Sequence, residues 1–371
     1  MPRKAQEPGV SIAALKQQLR ASPMFGFPPL MLSTLVDVAF DDAEWLYEPK
    51  LDGLRVVCHC DGKSVQIRSR NNKPQETQFP EIVAALAKQV KHRAVLDGEI
   101  VCLDEHGRPS FRSLQQRFHL HDKAVVAYRM RQFPAYIYLF DLLYVDRYDI
   151  RSLPLAHRKL LLRQAVKWNS IVRWTDATIG QGKAIFGEEC KQGGEGIVAK
   201  RMTSPYVGTR GGAWLKIKCS GRQEFVIGGF TEPRGSRAGL GALLVGYWSD
   251  DGRDFHYAGK VGTGFTDALL RDLREQLEQL EQQTSPFTAG KTPPRGKEVH
   301  WVKPKLVAEI AYAEWTRHDL LRQPRFEGLR KDKKPAEVKR ERAAEVISPA
   351  PPSAATRGSR RAPGAARRVL P

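Results

Sequence analysis

Between residues 30 and 218, short runs with the two-residue period of a strand alternate with stretches carrying the helical period. Trp45-Leu46-Tyr47, Val65-Gln66-Ile67, Ala94-Val95-Leu96 and Tyr136-Ile137-Tyr138-Leu139-Phe140 predict strands, and residues 81–90 and 155–168 predict helices. Interleaving of this kind predicts a mixed α+β domain over residues 27–220. After Cys219-Ser220-Gly221-Arg222 the texture changes. Residues 224–230, 242–248, 255–259 and 299–315 are short strand candidates broken by glycine, and one amphipathic helix runs through Leu269, Leu270, Leu273, Leu277 and Leu280. Several short strands and one helix over residues 221–334 fit an all-β barrel such as an OB-fold, and other small barrels equally. Residues 1–26 form an N-terminal extension with a short helix candidate at 11–19, too small for a domain of its own. Residues 335–371 are rich in Pro, Ala and Arg, and predict a basic disordered tail.

Charge narrows the class of partner. Sixty Lys and Arg stand against 41 Asp and Glu, a formal charge of +19 over 371 residues, which predicts a polyanion and most commonly nucleic acid. A generally basic protein with a cationic tail would give the same balance. No apolar run approaches the roughly 20 residues of a membrane span. Arg3 and Lys4 lead into no apolar stretch, so no secretory signal is expected, and a cytoplasmic, nucleoid-associated protein without a membrane partner is. Cys58, Cys60, Cys102, Cys190 and Cys219 are odd in number and contain no Cys-x-x-Cys pair, so neither a disulfide framework nor a zinc site is predicted. Cys58 and Cys60 would face one side of a strand as structural residues.

The chemistry gathers around Lys50, in Glu48-Pro49-Lys50-Leu51-Asp52-Gly53-Leu54-Arg55. Alone, Lys-x-Asp-Gly is equally a surface turn. Here it is followed in order by Leu96-Asp97-Gly98-Glu99-Ile100-Val101, Tyr138-Leu139-Phe140-Asp141-Leu142-Leu143, Glu195-Gly196-Ile197-Val198-Ala199-Lys200 and Trp214-Leu215-Lys216-Ile217-Lys218. These five blocks resemble motifs I, III, IIIa, IV and V of the ATP-dependent DNA ligases, and Arg330-Lys331-Asp332-Lys333 resembles motif VI. Glu224-Phe225-Val226-Ile227-Gly228-Gly229-Phe230 and Tyr257-Ala258-Gly259-Lys260-Val261-Gly262-Thr263-Gly264-Phe265 are similar to the ligase module of bacterial ligase D. The resemblance covers residues 27 to about 335. It implies a nucleotidyltransferase (adenylation) domain followed by an OB-fold, ATP as AMP donor, and Mg²⁺ with Mn²⁺ as a substitute. Nicked or broken DNA would be the substrate, in repair by end joining. A Ku-type end-binding partner is implied by likeness, with the chain acting as a free-standing monomeric module.

Carried over position by position, the resemblance makes Lys50 the nucleophile that takes AMP. Its amine must be neutral at attack, and a free lysine with pKa near 10.4 costs about 4 kcal/mol to neutralise at cellular pH. Lys216 and Lys218 are expected to lower that cost as neighbouring cations. Those two alternate on a predicted strand and so face one side, where both reach one phosphate. Glu48 would accept from the adenine amino group, Phe140 would stack on the base and Glu99 would hold the ribose. Glu195, with Asp52 and Glu99, would hold Mg²⁺, a hard ion that prefers oxygen. Arg55 and Arg70 would bind the nick and its 5′-phosphate through their planar forks. Arg330 and Lys333 would orient the pyrophosphate. Gly53 is expected to let the turn after Lys50 bend tightly. The rival readings are an RNA ligase, a GTP-using capping enzyme, and a DNA-binding scaffold without chemistry.

Overall fold

The structure, a computed structural model, describes residues 10–344 apart from 119, 234 and 236. The end of the expected tail, with Arg360-Arg361 and Arg367-Arg368, lies outside the described residues, as do Arg3 and Lys4. Two sheets build the first domain. The larger runs Val65–Ser69, Leu54–Cys60, Ala94–Cys102, Ala135–Val145 and Tyr148–Asp149, with Val172–Trp174 added in parallel beside Ala135–Val145. The smaller runs Leu32–Leu35, Arg210–Lys218, Gly196–Arg201, Trp45–Pro49 and Thr178–Ile179.

Register in the smaller sheet decides which side chains meet. Glu48 lies opposite Val198, and Val198 opposite Lys216; Lys200 lies opposite Trp214, and Gly196 opposite Lys218. Directly paired residues and those two apart share a face, so Glu48, Val198, Lys200, Trp214, Lys216 and Lys218 all stand on one side. The other side, with Trp45, Tyr47, Ile197, Ala199, Leu215 and Ile217, is an apolar core. In the larger sheet Arg55 lies opposite Glu99, while Leu54, Val56, Cys58, Leu96, Ile100, Ile137 and Leu139 face the main core. The pairing of Gly98 with Leu139 and of Asp97 with Asp141 leaves Phe140 as the extra residue of a β-bulge. Such a bulge re-aims one side chain.

The helix expected over 155–168 ends at Ala165, because Val166 turns extended and bridges to Val90. That expected at 81–90 spans Pro80–Gln89, with proline at its first position, where the missing N–H costs nothing. Residues 11–19 form a short 3₁₀ turn, Ile12–Ala14, capped by Ser11, and one turn of α-helix, Leu15–Gln18. Leu15 is buried in the main core, so this stretch packs as part of the first domain.

In the second domain the long strand Gly221–Thr231 pairs with Ala242–Trp248, Val299–Val302 and Val307–Tyr312, which curls the sheet on itself. The helix Asp267–Glu278 is capped by the Thr266 hydroxyl and buries Leu270, Leu273 and Leu277 against this barrel. The expected strand over 299–315 is broken after Val302, since Pro304 has no amide hydrogen for a ladder. The chain does not leave the molecule at 335. Val338 is buried in the barrel core, Trp248 N–H donates to Val338 O at 2.9 Å, and Ala344 N–H donates to Leu35 O of the first domain at 2.9 Å.

Two further departures from expectation are local. Cys190 and Cys219 form a disulfide that ties the end of the Gly182–Lys191 helix to the end of the Arg210–Lys218 strand. Three buried free thiols, Cys58, Cys60 and Cys102, make the total odd and conceal the pair. Gly53 is required for close approach: a Cβ there would lie 2.4 Å from Ile100 O, and its φ is not among the left-handed ones. Among the described residues no helix is long and apolar enough to cross a membrane.

Arg158 and Asp141 form a fully buried ion pair at 2.8 Å, and the same guanidinium donates to Leu153 O and Ser204 O. Removing one partner strands a buried charge. Arg158→Ala is expected to cost about 3–5 kcal/mol of folding stability, read from urea unfolding; a loss below ~1 kcal/mol would show the pair to be dispensable.

Candidate active site

The site residues expected from the resemblance, from Glu48 and Lys50 to Arg330 and Lys333, line one cavity of about 510 Å³, walled by both sheets of the first domain and by the barrel. The barrel is drawn over it by Arg222, whose guanidinium lies 2.9 Å from Asp52, and by Arg330, which lies 4.2 Å over the Phe111 ring. Asn71 also donates to Asp332 O, and Gln115 to Leu329 O.

Lys50 follows the last residue of its strand, and its N–H donates to Gly196 O at 2.8 Å. Its ammonium lies 2.5 Å from Glu195 Oε1. Burial works against that charge, but Glu195, helped by Glu99 and Asp52, outweighs it and raises the lysine above its ordinary pKa. The expectation that Lys216 and Lys218 neutralise Lys50 is therefore corrected: in this state Glu195 keeps it protonated. Lys216 is lowered instead, brought to about 8 by burial and then by Lys218 beside it. Lys216 and Lys218 share one carboxylate, that of Glu341, with Lys218 at 2.7 Å. Burial opposes the charge of Glu341, yet the two lysines hold it down to about 2.

The carboxylates expected to take a metal are not gathered into a ready centre. Among the described residues no group of three or more His, Cys, Asp or Glu is placed to hold an ion. Glu195 is turned to Lys50 and Asp52 to Arg222. Burial raises Asp52 and Glu99 each to about 7, and the charge on Glu195 adds to both shifts.

At another end of the cavity Glu48 is buried, with Oε1 accepting from Lys159 and Oε2 from Lys200, the latter at 2.5 Å. Lys200 stands 4.2 Å from the ring centres of both Phe140 and Trp214. Burial, then the neighbouring Lys159, lowers its pKa. Neither lysine was assigned a role from sequence. Lys200 closes the block Glu195-Gly196-Ile197-Val198-Ala199-Lys200, which gave it a signal, while Lys159 carried none, as a cation on a helix reads as solvated.

Arg55, expected at the 5′-phosphate, is engaged elsewhere. It grips Asp97 through two nitrogens at 3.1 and 2.7 Å and gives a third hydrogen bond to Met31 O at 2.7 Å. Its guanidinium lies 5.5 and 5.3 Å from the ring centres of Phe140 and Trp214. The fork is spent on holding the aromatic wall. Arg70 is exposed at the rim. Arg330 pairs with Glu309 and Asp332 at 2.8 and 2.9 Å, and Lys333 with Glu224 at 2.9 Å.

Residues 31–218 match the model of the ATP-dependent DNA ligase domain, and residues 236–333 that of the ATP-dependent DNA ligase C-terminal region. The chain belongs to the ATP-dependent DNA ligases. It is 39% identical over 331 residues to the multifunctional non-homologous end joining protein LigD of Pseudomonas aeruginosa, covering 88% of this chain and 37% of that protein. Over 314 residues it is 37% identical to the multifunctional non-homologous end joining DNA repair protein LigD of Mycobacterium tuberculosis, covering 84% of this chain and 39% of that one. The chain thus spans under two fifths of the length of these two relatives. The solved structure of mycobacterial DNA ligase D complexed with ATP and MES is matched at TM-score 0.62 and 36% identity, over 85% of this chain and 100% of that one.

Two outcomes follow for this ligase. Glu341 occupies Lys216 and Lys218, the two lysines expected from the resemblance to meet the phosphates, so Glu341→Gln is expected to lower the KM for ATP severalfold; an unchanged or higher KM would show that Glu341 does not compete. Glu99 moves from 4.5 to about 7 on folding, so its ionisation weakens the fold increasingly as pH rises from 4.5 towards 7 and by a constant amount above that. Glu99→Gln should raise the melting temperature by a few degrees at pH 8, against little gain at pH 5. Equal gains at both values would contradict the assigned shift.

Proposed function

We propose that this ligase seals 5′-phosphate/3′-hydroxyl breaks in DNA through an AMP carried on Lys50, as part of repair by end joining. The observation that supports the reading is the meeting of Lys50, Glu48, Phe140, Glu99, Lys216 and Lys218 around one cavity, although they lie up to 170 residues apart in the chain. In the first step Lys50 Nζ attacks the α-phosphate of ATP, an N–P bond forms, and pyrophosphate leaves. Lys50 must first shed a proton, and the Glu195 carboxylate is the acceptor already in contact. Lys216 and Lys218 then stand against the phosphates once Glu341 has withdrawn, placing positive charge where the transferring group gathers negative charge. Phe140 and Val198 line the cavity as walls for the base, and Glu48 presents an acceptor to its amino group. Arg330 and Lys333, brought in by the barrel, orient the pyrophosphate.

Next the 5′-phosphate of a break takes the AMP from Lys50, with Arg70 at the rim as its guanidinium partner. Finally the 3′-hydroxyl attacks that activated phosphate and AMP leaves. Storing the activation covalently divides one difficult condensation into easier steps. The barrel covers the cavity in this structure, so DNA reaches Lys50 only after a swing about Ser220-Gly221. Glu195, Glu99 and Asp52 are the oxygens assigned to Mg²⁺ or Mn²⁺, because Glu195 repels both of the others and a bound cation relieves that repulsion. Held by those carboxylates once Glu195 and Asp52 turn from Lys50 and Arg222, the ion would supply charge neutralisation at the phosphate. End joining with a Ku-type partner, action as a monomer and a place in the cytoplasm on the nucleoid belong to the same proposal, and the names of the relatives support its repair context.

The test is mass spectrometry of the purified ligase after incubation with ATP and Mg²⁺. A fraction heavier by one AMP is expected, mapped to Lys50, discharged by nicked DNA, not formed from GTP, and abolished in Lys50→Ala. AMP on another side chain, or label from GTP alone, would overturn the reading.

A further inference from the structure

Thr175 follows the Val172–Trp174 strand, belongs to none of the motif blocks, and lines the same cavity. It is only 2% exposed, and its Oγ1 has no hydrogen-bond partner among the described residues. Its place is tied to Glu48: Lys159 Nζ donates both to Glu48 Oε1 and, at 3.4 Å, to Thr175 O. Leaving a buried hydroxyl unsatisfied is costly; other buried polar atoms share that condition, among them Trp214 Nε1 on the same cavity and Tyr47 Oη and Trp248 Nε1 away from it. Because Thr175 lines the cavity, a ligand bound there can complete its hydroxyl.

The two side chains are complementary as readers of a base. Glu48 gives one oxygen to each lysine, and a carboxylate has about four acceptor positions, so it still accepts from a ligand but cannot donate. The Thr175 hydroxyl is a donor. Adenine carries an amino group flanked by ring nitrogens that accept, whereas guanine carries an acceptor oxygen where adenine has the amine. We propose that the Thr175 hydroxyl is a specificity-determining group of the ligase, donating to a ring nitrogen of ATP beside the amino group that Glu48 receives. Guanine would then turn an acceptor towards the Glu48 carboxylate. This rests on the reading of the cavity as the ATP site, and the experiment separates the two.

The rate of Lys50–AMP formation is measured against ATP concentration in wild type, Thr175→Val and Thr175→Ser, with melting curves recorded without ATP. Valine keeps the shape and removes the hydroxyl. For Thr175→Val the KM for ATP should rise about tenfold, the fold-change of one lost hydrogen bond, while the maximal rate changes little. Serine should restore most of the affinity. The free enzyme should melt at the same temperature or higher, because a buried hydroxyl without a partner has been replaced by a methyl. Wild type should also lose affinity for the 1-deaza or the 7-deaza analogue of ATP, and Thr175→Val should lose nothing further with that analogue. A folded Thr175→Val with unchanged KM overturns the inference. So does a lowered melting temperature with a maximal rate that falls alongside and is not restored by serine, since that is the signature of a packing role. If wild type takes no AMP from ATP, the parent reading fails instead.

Discussion

The site depends on one electrostatic constraint: a cavity lined with charges at the meeting of two domains persists only when each buried charge faces an opposite one. The structure satisfies it in pairs that divide the cavity by task. Lys50 faces Glu195, Glu48 bridges Lys159 and Lys200, Glu341 bridges Lys216 and Lys218, and Arg222 joins Asp52 of the other domain. Every pair includes a group to which the proposed reaction gives a role.

This arrangement changes the account of the nucleophile. A lysine among cations would be partly neutral before substrate arrives. Lys50 is instead held above its ordinary pKa by three carboxylates against the effect of burial, so the proposed attack requires their rearrangement. Lowered amines lie elsewhere in the same sheet, at Lys200 and, two strands from Lys50, at Lys216, which has Lys218 as its neighbour. The segment after the barrel belongs to the same economy of charge. Val338 anchors it in the barrel core, and Glu341 reaches the lysines from there.

The backbone makes these pairings available through register. Glu48, Val198 and Lys216 form one row across three strands, and a one-residue slip would turn all of them into the apolar core behind. The bulge at Phe140 and the missing Cβ of Gly53 set the facing wall, the first by redirecting a ring and the second by letting the Ile100 carbonyl approach.

Much of this was legible in the chain, and the boundary follows a physical line. Alternation placed Lys216 and Lys218 on one face, and the ordered blocks from Lys50 to Lys333 carry residues that line one cavity. Each of those signals is local, or is an order along the chain. The partners were not legible. Arg55 closes on Asp97, Glu341 on Lys216 and Lys218, Cys190 on Cys219, and Thr175 comes beside Glu48, each joining residues from distant parts of the chain or from separate elements. Sequence determined which groups the site owns; sheet register and the docking of the barrel decided which of them touch, because a side chain's charge and reach are fixed by its type while its neighbour is fixed only when the elements pack.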